Sequence, residues 1–169
     1  MTFNEFQDEV YTWSLKNFGE QTPLKPLLGV FEEIGEYYES ESTVDRYDAV
    51  ADAMIYIADF TARWGMELGL VVKRIGTFGP LSSSHSREEC CIIDVGKLCH
   101  SVLKMGQGIR VDENHSDAMH DSLARIIDWC RWSGGGGPIG LFLADVVLPV
   151  WEEVKKRDWS KNKVDGVGK

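Results

Sequence analysis

Five carboxylates carry most of the chemistry this sequence could perform. Glu32-Glu33-x-x-Glu36 and Asp48-x-x-x-Asp52 stand with eleven residues between them, both inside apolar, helix-periodic sequence. Residues three or four apart on a helix share a face, so Glu33 with Glu36, Glu32 with Glu36 and Asp48 with Asp52 each point one way. If the two helices pair as a hairpin, the acids converge on one spot. Unneutralised carboxylates so close repel one another, and burying them is costly. A divalent cation resolves the conflict, and an all-oxygen donor set favours Mg²⁺ or Mn²⁺ over zinc. A bound ion lowers the pKa of its water, and a spare carboxylate can accept that water's proton.

Helices are the elements that must position these acids. Phe3, Phe6, Val10, Trp13 and Leu15 predict a first amphipathic helix over about 3–17, broken by the stretch from Gly19 to Pro26. Leu28, Phe31, Ile34 and Tyr38 recur at helical spacing and predict a second helix from Leu27 to about Glu41. Thr43 is placed to cap a third over about 44–64, with Val50, Met54, Ile57, Ala58 and Phe60 inward. A short piece near 67–75 follows, then a Gly/Ser/Pro-rich linker at 76–87 and further helices at about 88–104, 116–132 and 140–157. The run Gly134–Gly137 before Pro138 reads as a flexible hinge; no Gly-Lys-Ser/Thr follows it and no strand precedes it, so it is not a phosphate loop. Nothing alternates at period two. The expected fold is all-α, a helical bundle around a four-helix core, forming one domain over 1–159 with a loose tail from 160.

At 169 residues and 43% hydrophobic, the chain can bury one sizeable core. The formal charge of −9 argues against a nucleic-acid binder, which needs a basic face. No apolar run approaches the roughly 20 residues that span a bilayer, so no membrane partner is expected. The opening Thr2-Phe3-Asn4-Glu5 is not a signal peptide, which points to a cytoplasmic protein with reduced thiols. The spacing of Cys90, Cys91, Cys99 and His100 fits no paired Cys-x-x-Cys pattern, and no zinc site is expected there. Asp59 reads as an exposed helix charge, and Trp13, Tyr56, Trp129 and Trp151 as core residues.

Charge is uneven along the chain. Residues 1–80 hold 6 Lys/Arg against 14 Asp/Glu, whereas residues 81–169 hold 12 against 13. The segment Asp48–Tyr56 can be set above Asp121–Trp129, and Glu33–Tyr37 above Asp94–Leu98. In this alignment the acids Glu36 and Asp52 meet Lys97 and Arg125. The halves, about 1–75 and 88–159, read as diverged copies of one helical hairpin, one holding metal and the other presenting cations. Lys97 and Arg125 serve either an anionic substrate or the acids of the first half.

Several of these residues carry a family resemblance. Trp13 with Asn17-Phe18, Leu28-Gly29-Val30-Phe31-Glu32-Glu33-Ile34-Gly35-Glu36, Asp48-Ala49-Val50-Ala51-Asp52 and Ile55-Tyr56 resemble the MazG-like nucleotide pyrophosphohydrolases, of the all-α NTP pyrophosphatase superfamily. Gly96-Lys97-Leu98-Cys99-His100, Leu103-Lys104-Met105-Gly106-Gln107-Gly108-Ile109-Arg110, Trp151-Glu152-Glu153-Val154 and Arg157-Asp158-Trp159 resemble the basic loop and closing segment of single-domain members. The resemblance implies Mg²⁺-dependent cleavage of a nucleoside triphosphate between its α- and β-phosphates. It implies Glu33, Glu36, Asp48 and Asp52 as metal ligands, and Glu32, Glu33, Glu36 and Asp52 as the catalytic acids. Where the family commonly has a glutamate three residues before the last aspartate, this chain has Ala49 and an aspartate one position earlier, whose shorter reach and different angle leave Asp48 to meet an ion through water or not at all. Lys104 and Arg110 are suited to the triphosphate, Arg by bidentate contact; Trp13 and Asn17 complete the expected substrate contacts, with Trp13 or Tyr56 stacking on the base. Relatives often dimerise, which makes a homodimer an expectation. The reading from another class is a non-catalytic nucleotide- or partner-binding protein with a degenerate site.

Overall fold

The computed structural model describes residues 1–77, 85–164 and 166; positions 78–84 of the expected linker and 165 and 167–169 of the tail lie outside the described residues. The fold is all-α, with no strand among the described residues. The helices are α1 (Phe3–Phe18), α2 (Leu24–Glu39), α3 (Thr43–Trp64), α4 (Leu68–Lys73), α5 (Arg87–Gln107), α6 (His115–Ser133), α7 (Ile139–Phe142), a π-helical segment (Leu143–Val147) and α8 (Leu148–Val154). They fall into two compact units, Met1–Gly69 with Cys130–Lys169, and Leu70–Trp129. The segment after residue 130 thus packs with the first 69 residues, across the boundary expected between the two repeat halves.

In the first unit α3 is the hub, touching α1, α2, the π segment and α8. Val50, Met54, Ile57, Ala58 and Phe60 are all but fully buried, as the helical spacing predicts, and Ala51 and Ala53 are buried with them because the helix is covered on several sides. Thr2 and Glu5 form a capping box that starts α1. Ser42, one residue before the expected Thr43, caps α3 by accepting from the Asp45 amide. Only residues 40–42 join α2 to α3, and so short a link makes antiparallel neighbours.

Helix α2 turns a different face inward from the one its apolar spacing predicts. Leu27, Val30, Glu33 and Ile34 are buried, whereas Leu28 is 66% exposed and Tyr38 43%. The inward stripe is shifted by one residue, and that shift puts a carboxylate on the core side. Gly29 lies on this face: a Cβ there would sit 2.5 Å from the Tyr56 ring, so only glycine allows the close approach of α2 and α3.

The last helix of this unit is interrupted for a definable reason. Pro149, in the first turn of α8, lacks an amide hydrogen and its ring clashes with the carbonyl four residues back, that of Asp145. The π segment Leu143–Val147 spans that carbonyl and accommodates the proline. The glycine run ahead of it is an ordered turn rather than a free hinge. Gly135, Gly136 and Gly137 all take positive φ, Gly134 and Gly136 donate to Cys130 and Arg131 carbonyls, and Arg131 donates to the Gly137 carbonyl. Trp151 anchors α8 on α1: it is 1% exposed, meets Phe6 and Trp13 edge-on, and donates from Nε1 to Glu9 at 3.1 Å. We expect Trp151→Ala to cost roughly 3–5 kcal/mol in urea unfolding; a loss below about 1 kcal/mol would contradict this packing.

The second unit is built from α5 and most of α6. A capping box of Ser86 and Glu89 opens α5, and Gly108 in the left-handed region ends it. Arg74 donates to Asp117 and Asp121 at 2.6 Å each, tying residue 74 to two successive turns of α6.

Candidate functional site

The α2–α3 hairpin brings the acids together in the first unit. Gly29 and Glu33 lie one turn apart on α2, and Asp52 and Tyr56 one turn apart on α3, so the rung set by the Gly29–Tyr56 approach is continued by Glu33 and Asp52. Glu33 and Asp52 line one cleft of about 330 Å³ with Tyr56, Trp13, Arg157 and Trp159. Glu33 is 8% exposed and Asp52 half-buried, while Glu32, Glu36 and Asp48 are exposed and do not line the cleft.

Electrostatics mark the cluster as uncompensated. Burial, followed by the charges of Asp52, Glu36, Glu32 and Asp48, pushes the Glu33 carboxyl up to about 8. The charged neighbours that shift it most are acids. Asp52 is raised to about 6 by burial and Asp48, against a partial opposing pull from Arg157. Tyr56 goes up to about 12 by burial and the same acids, so its hydroxyl stays a donor. Carboxylates gathered at one cleft and only partly offset by Arg157 suit a hard divalent ion such as Mg²⁺. The acids are not drawn into a tight cage: among the described residues, the three-donor group within 4.8 Å is elsewhere, at His100, Glu113 and His115.

Arg157 is the cation the cleft itself contains, and its position depends on the closing segment. Trp13 donates from Nε1 to the Arg157 carbonyl at 3.1 Å, while Asn17 accepts from the Trp159 amide at 2.7 Å and donates to the Trp13 carbonyl at 2.9 Å. Asn17 therefore holds Trp159 against α1 rather than lining the cleft. Trp13 is half-buried, edge-on to Phe18 and Trp151. A neighbouring recess of about 180 Å³ shares Trp13, Phe18, Ile55 and Tyr56 and adds Gln21 and Lys25.

Lys104 and Arg110, expected at the triphosphate, belong to the second unit. Lys104 is half-buried, and Arg110 is exposed and pairs with Glu113 at 3.3 Å. Lys97 pairs with Asp94 on its own helix at 3.2 Å. Asp94, Lys97, Asp121 and Arg125, the positions aligned with Glu33, Glu36, Asp48 and Asp52, line one cavity of about 680 Å³.

Asp59 is not an exposed helix charge. It is 5% exposed, accepts from Ser14 and Arg63 at 2.8 Å each, and belongs to the core of the first unit. Its polar partners are far away in sequence or invisible to apolar periodicity, which is why spacing alone misplaces it.

Comparison with protein families, with curated proteins and with solved structures returns no match.

Proposed function

We propose that the first unit is a Mg²⁺-dependent nucleoside triphosphate pyrophosphohydrolase, releasing pyrophosphate and a nucleoside monophosphate. The observation that carries this reading is Glu33: a carboxyl raised first by burial and then by four surrounding acids, lining a cleft that also holds an arginine and aromatic walls. The resemblance of the Glu32–Glu36 and Asp48–Asp52 segments to MazG-like enzymes supports the same chemistry.

Glu33, Glu36 and Asp52, with Asp48 beside them, would hold the ion. When bound, Mg²⁺ neutralises phosphate charge and acidifies a coordinated water. Glu32, exposed one residue from Glu33, would take the proton of the attacking water, whose oxygen bonds the α-phosphorus as the bridge to the β-phosphate breaks. Arg157 pairs with phosphate oxygens and offsets the charge that develops on the leaving pyrophosphate. The nucleoside extends into the recess walled by Trp13, Phe18 and Tyr56, where a flat base finds aromatic contact.

Pyrophosphate release measured over a panel of NTPs and dNTPs, in Mg²⁺ and in EDTA, tests the reading. The expected result is metal-dependent release, reduced roughly 10²-fold or more in Glu36→Gln. Orthophosphate as the sole product would overturn the mechanism. Silence across the panel, in protein that is folded and binds Mg²⁺, would instead favour a nucleotide- or partner-binding module.

A further inference from the structure

We propose that His100, Glu113 and His115 form a separate metal site, suited to a divalent ion of the zinc class, within the unit Leu70–Trp129. It draws on no residue of the acidic cleft and stands whether or not that cleft hydrolyses nucleotides.

Three donors converge here. A ring nitrogen of each histidine and a Glu113 oxygen all lie within 4.8 Å of one another, with His100 Nε2 at 3.3 Å and His115 Nδ1 at 3.9 Å from Glu113 Oε2. Zinc bonds of about 2.0–2.2 Å in tetrahedral geometry place neighbouring ligand atoms about 3.3–3.6 Å apart. The observed separations are therefore within a few tenths of an ångström to about one ångström of closure, a movement that side-chain rotation supplies. Two imidazoles and one carboxylate differ in kind from the all-oxygen acidic cleft, and imidazole prefers zinc-like ions over Mg²⁺.

The second observation is the way His115 is held. It is only 7% exposed, and its Nε2 lies 2.9 Å from the Arg110 carbonyl. A carbonyl only accepts, so Nε2 carries the hydrogen and Nδ1 presents its lone pair towards Glu113. Metal-ligating histidines are oriented by this kind of outer hydrogen bond. The backbone takes an uncommon conformation to make it: Arg110 has φ +54°, in the left-handed region that non-glycine residues seldom enter. Its carbonyl thereby accepts from both the Glu113 amide, at 3.0 Å, and His115. Local strain at such a position accords with a functional turn.

The site is open on one side. All three donors line the 680 Å³ cavity, together with Lys97, Arg125 and Ser122. Three protein ligands with further coordination positions facing a cavity match the pattern of exchangeable rather than closed structural zinc.

Cobalt(II), a spectroscopic stand-in for zinc, provides the test on the full chain in excess Mg²⁺. We expect one Co²⁺ per chain with visible bands of low coordination number, displaced by Zn²⁺. Affinity should fall at least about 10-fold in His100→Ala and in Glu113→Gln, and stay unchanged in Glu36→Gln. Because His115 is buried, the exposed Glu113→Gln variant keeps the test valid if a histidine replacement fails to fold. No binding at micromolar Co²⁺, equal affinity in wild type and both variants, or an intense near-ultraviolet thiolate-to-cobalt band would each overturn the proposal.

Discussion

Glu33→Gln is expected to lower kcat/KM for triphosphate hydrolysis roughly 10³-fold, about 4 kcal/mol of transition-state stabilisation, while making the metal-free protein more stable at alkaline pH. The two effects share one cause. Glu33 is 8% exposed and surrounded by Asp52, Glu36, Glu32 and Asp48, so its ionised form is unfavourable until a cation arrives. Glutamine keeps the shape, removes the charge and loses the anionic donor. A structural role alone moves stability and leaves the rate of the folded fraction intact; a purely catalytic role leaves metal-free stability untouched. Kinetics in Mg²⁺ beside thermal melts in EDTA at pH 8.5 separate these cases. Full activity in Glu33→Gln would remove this residue from the metal set.

The all-α class and most helix positions were legible because the two signals involved are local. Apolar periodicity and short caps, such as Thr2 with Glu5 and Ser86 with Glu89, need only neighbours in sequence. The phase of α2 was not legible in the same way. Leu28 and Tyr38 look like inward residues, yet burial is decided by how closely α3 approaches, and that depends on Gly29 making room for Tyr56. The same shift turns Glu33 inward, so an error in the core stripe and the strongest electrostatic feature of the site have one origin.

Other features depend on contacts distant in sequence. Nothing local shows that Trp151 packs against Phe6 and Trp13, or that Arg157 enters the cleft of Asp52, since the residues are more than a hundred positions apart. Pro149 was a visible signal for the π segment, as a proline within a helical pattern must disturb it. The His100, Glu113 and His115 group has no motif spacing: its donors come from late in α5, from the following turn and from the first residue of α6. The cue was chemical rather than periodic, two histidines flanking a polar turn.

The stability of the metal-free protein should fall as pH rises from about 4 to about 8, and Mg²⁺ should reverse the trend. Glu33 and Asp52 have folded-state values of about 8 and about 6, above their ordinary 4.5 and 3.8. Between the ordinary and the raised values the native state binds more protons than the unfolded chain. The slope of unfolding free energy with pH is then negative. The stability these groups contribute is complete below about pH 4 and is lost as pH passes through 6 and then 8. After allowing for solvent screening at the cleft, the loss is about 3 kcal/mol, or roughly 6–12 °C in melting temperature for a chain of this length. Asp158 acts in a different window: hydrogen bonding from Ser160 and Lys161 holds it near 2, so its contribution disappears only on strong acidification. Mg²⁺ selects the ionised carboxylates, and its stabilisation should therefore grow with pH. Calorimetric titration near pH 7 in buffers of different ionisation enthalpy should show about one proton released per Mg²⁺, chiefly from Glu33. A melting temperature flat from pH 5 to 8.5 in EDTA, or Mg²⁺ binding without proton release, would mean that these carboxylates are not the uncompensated cluster on which the hydrolytic site depends.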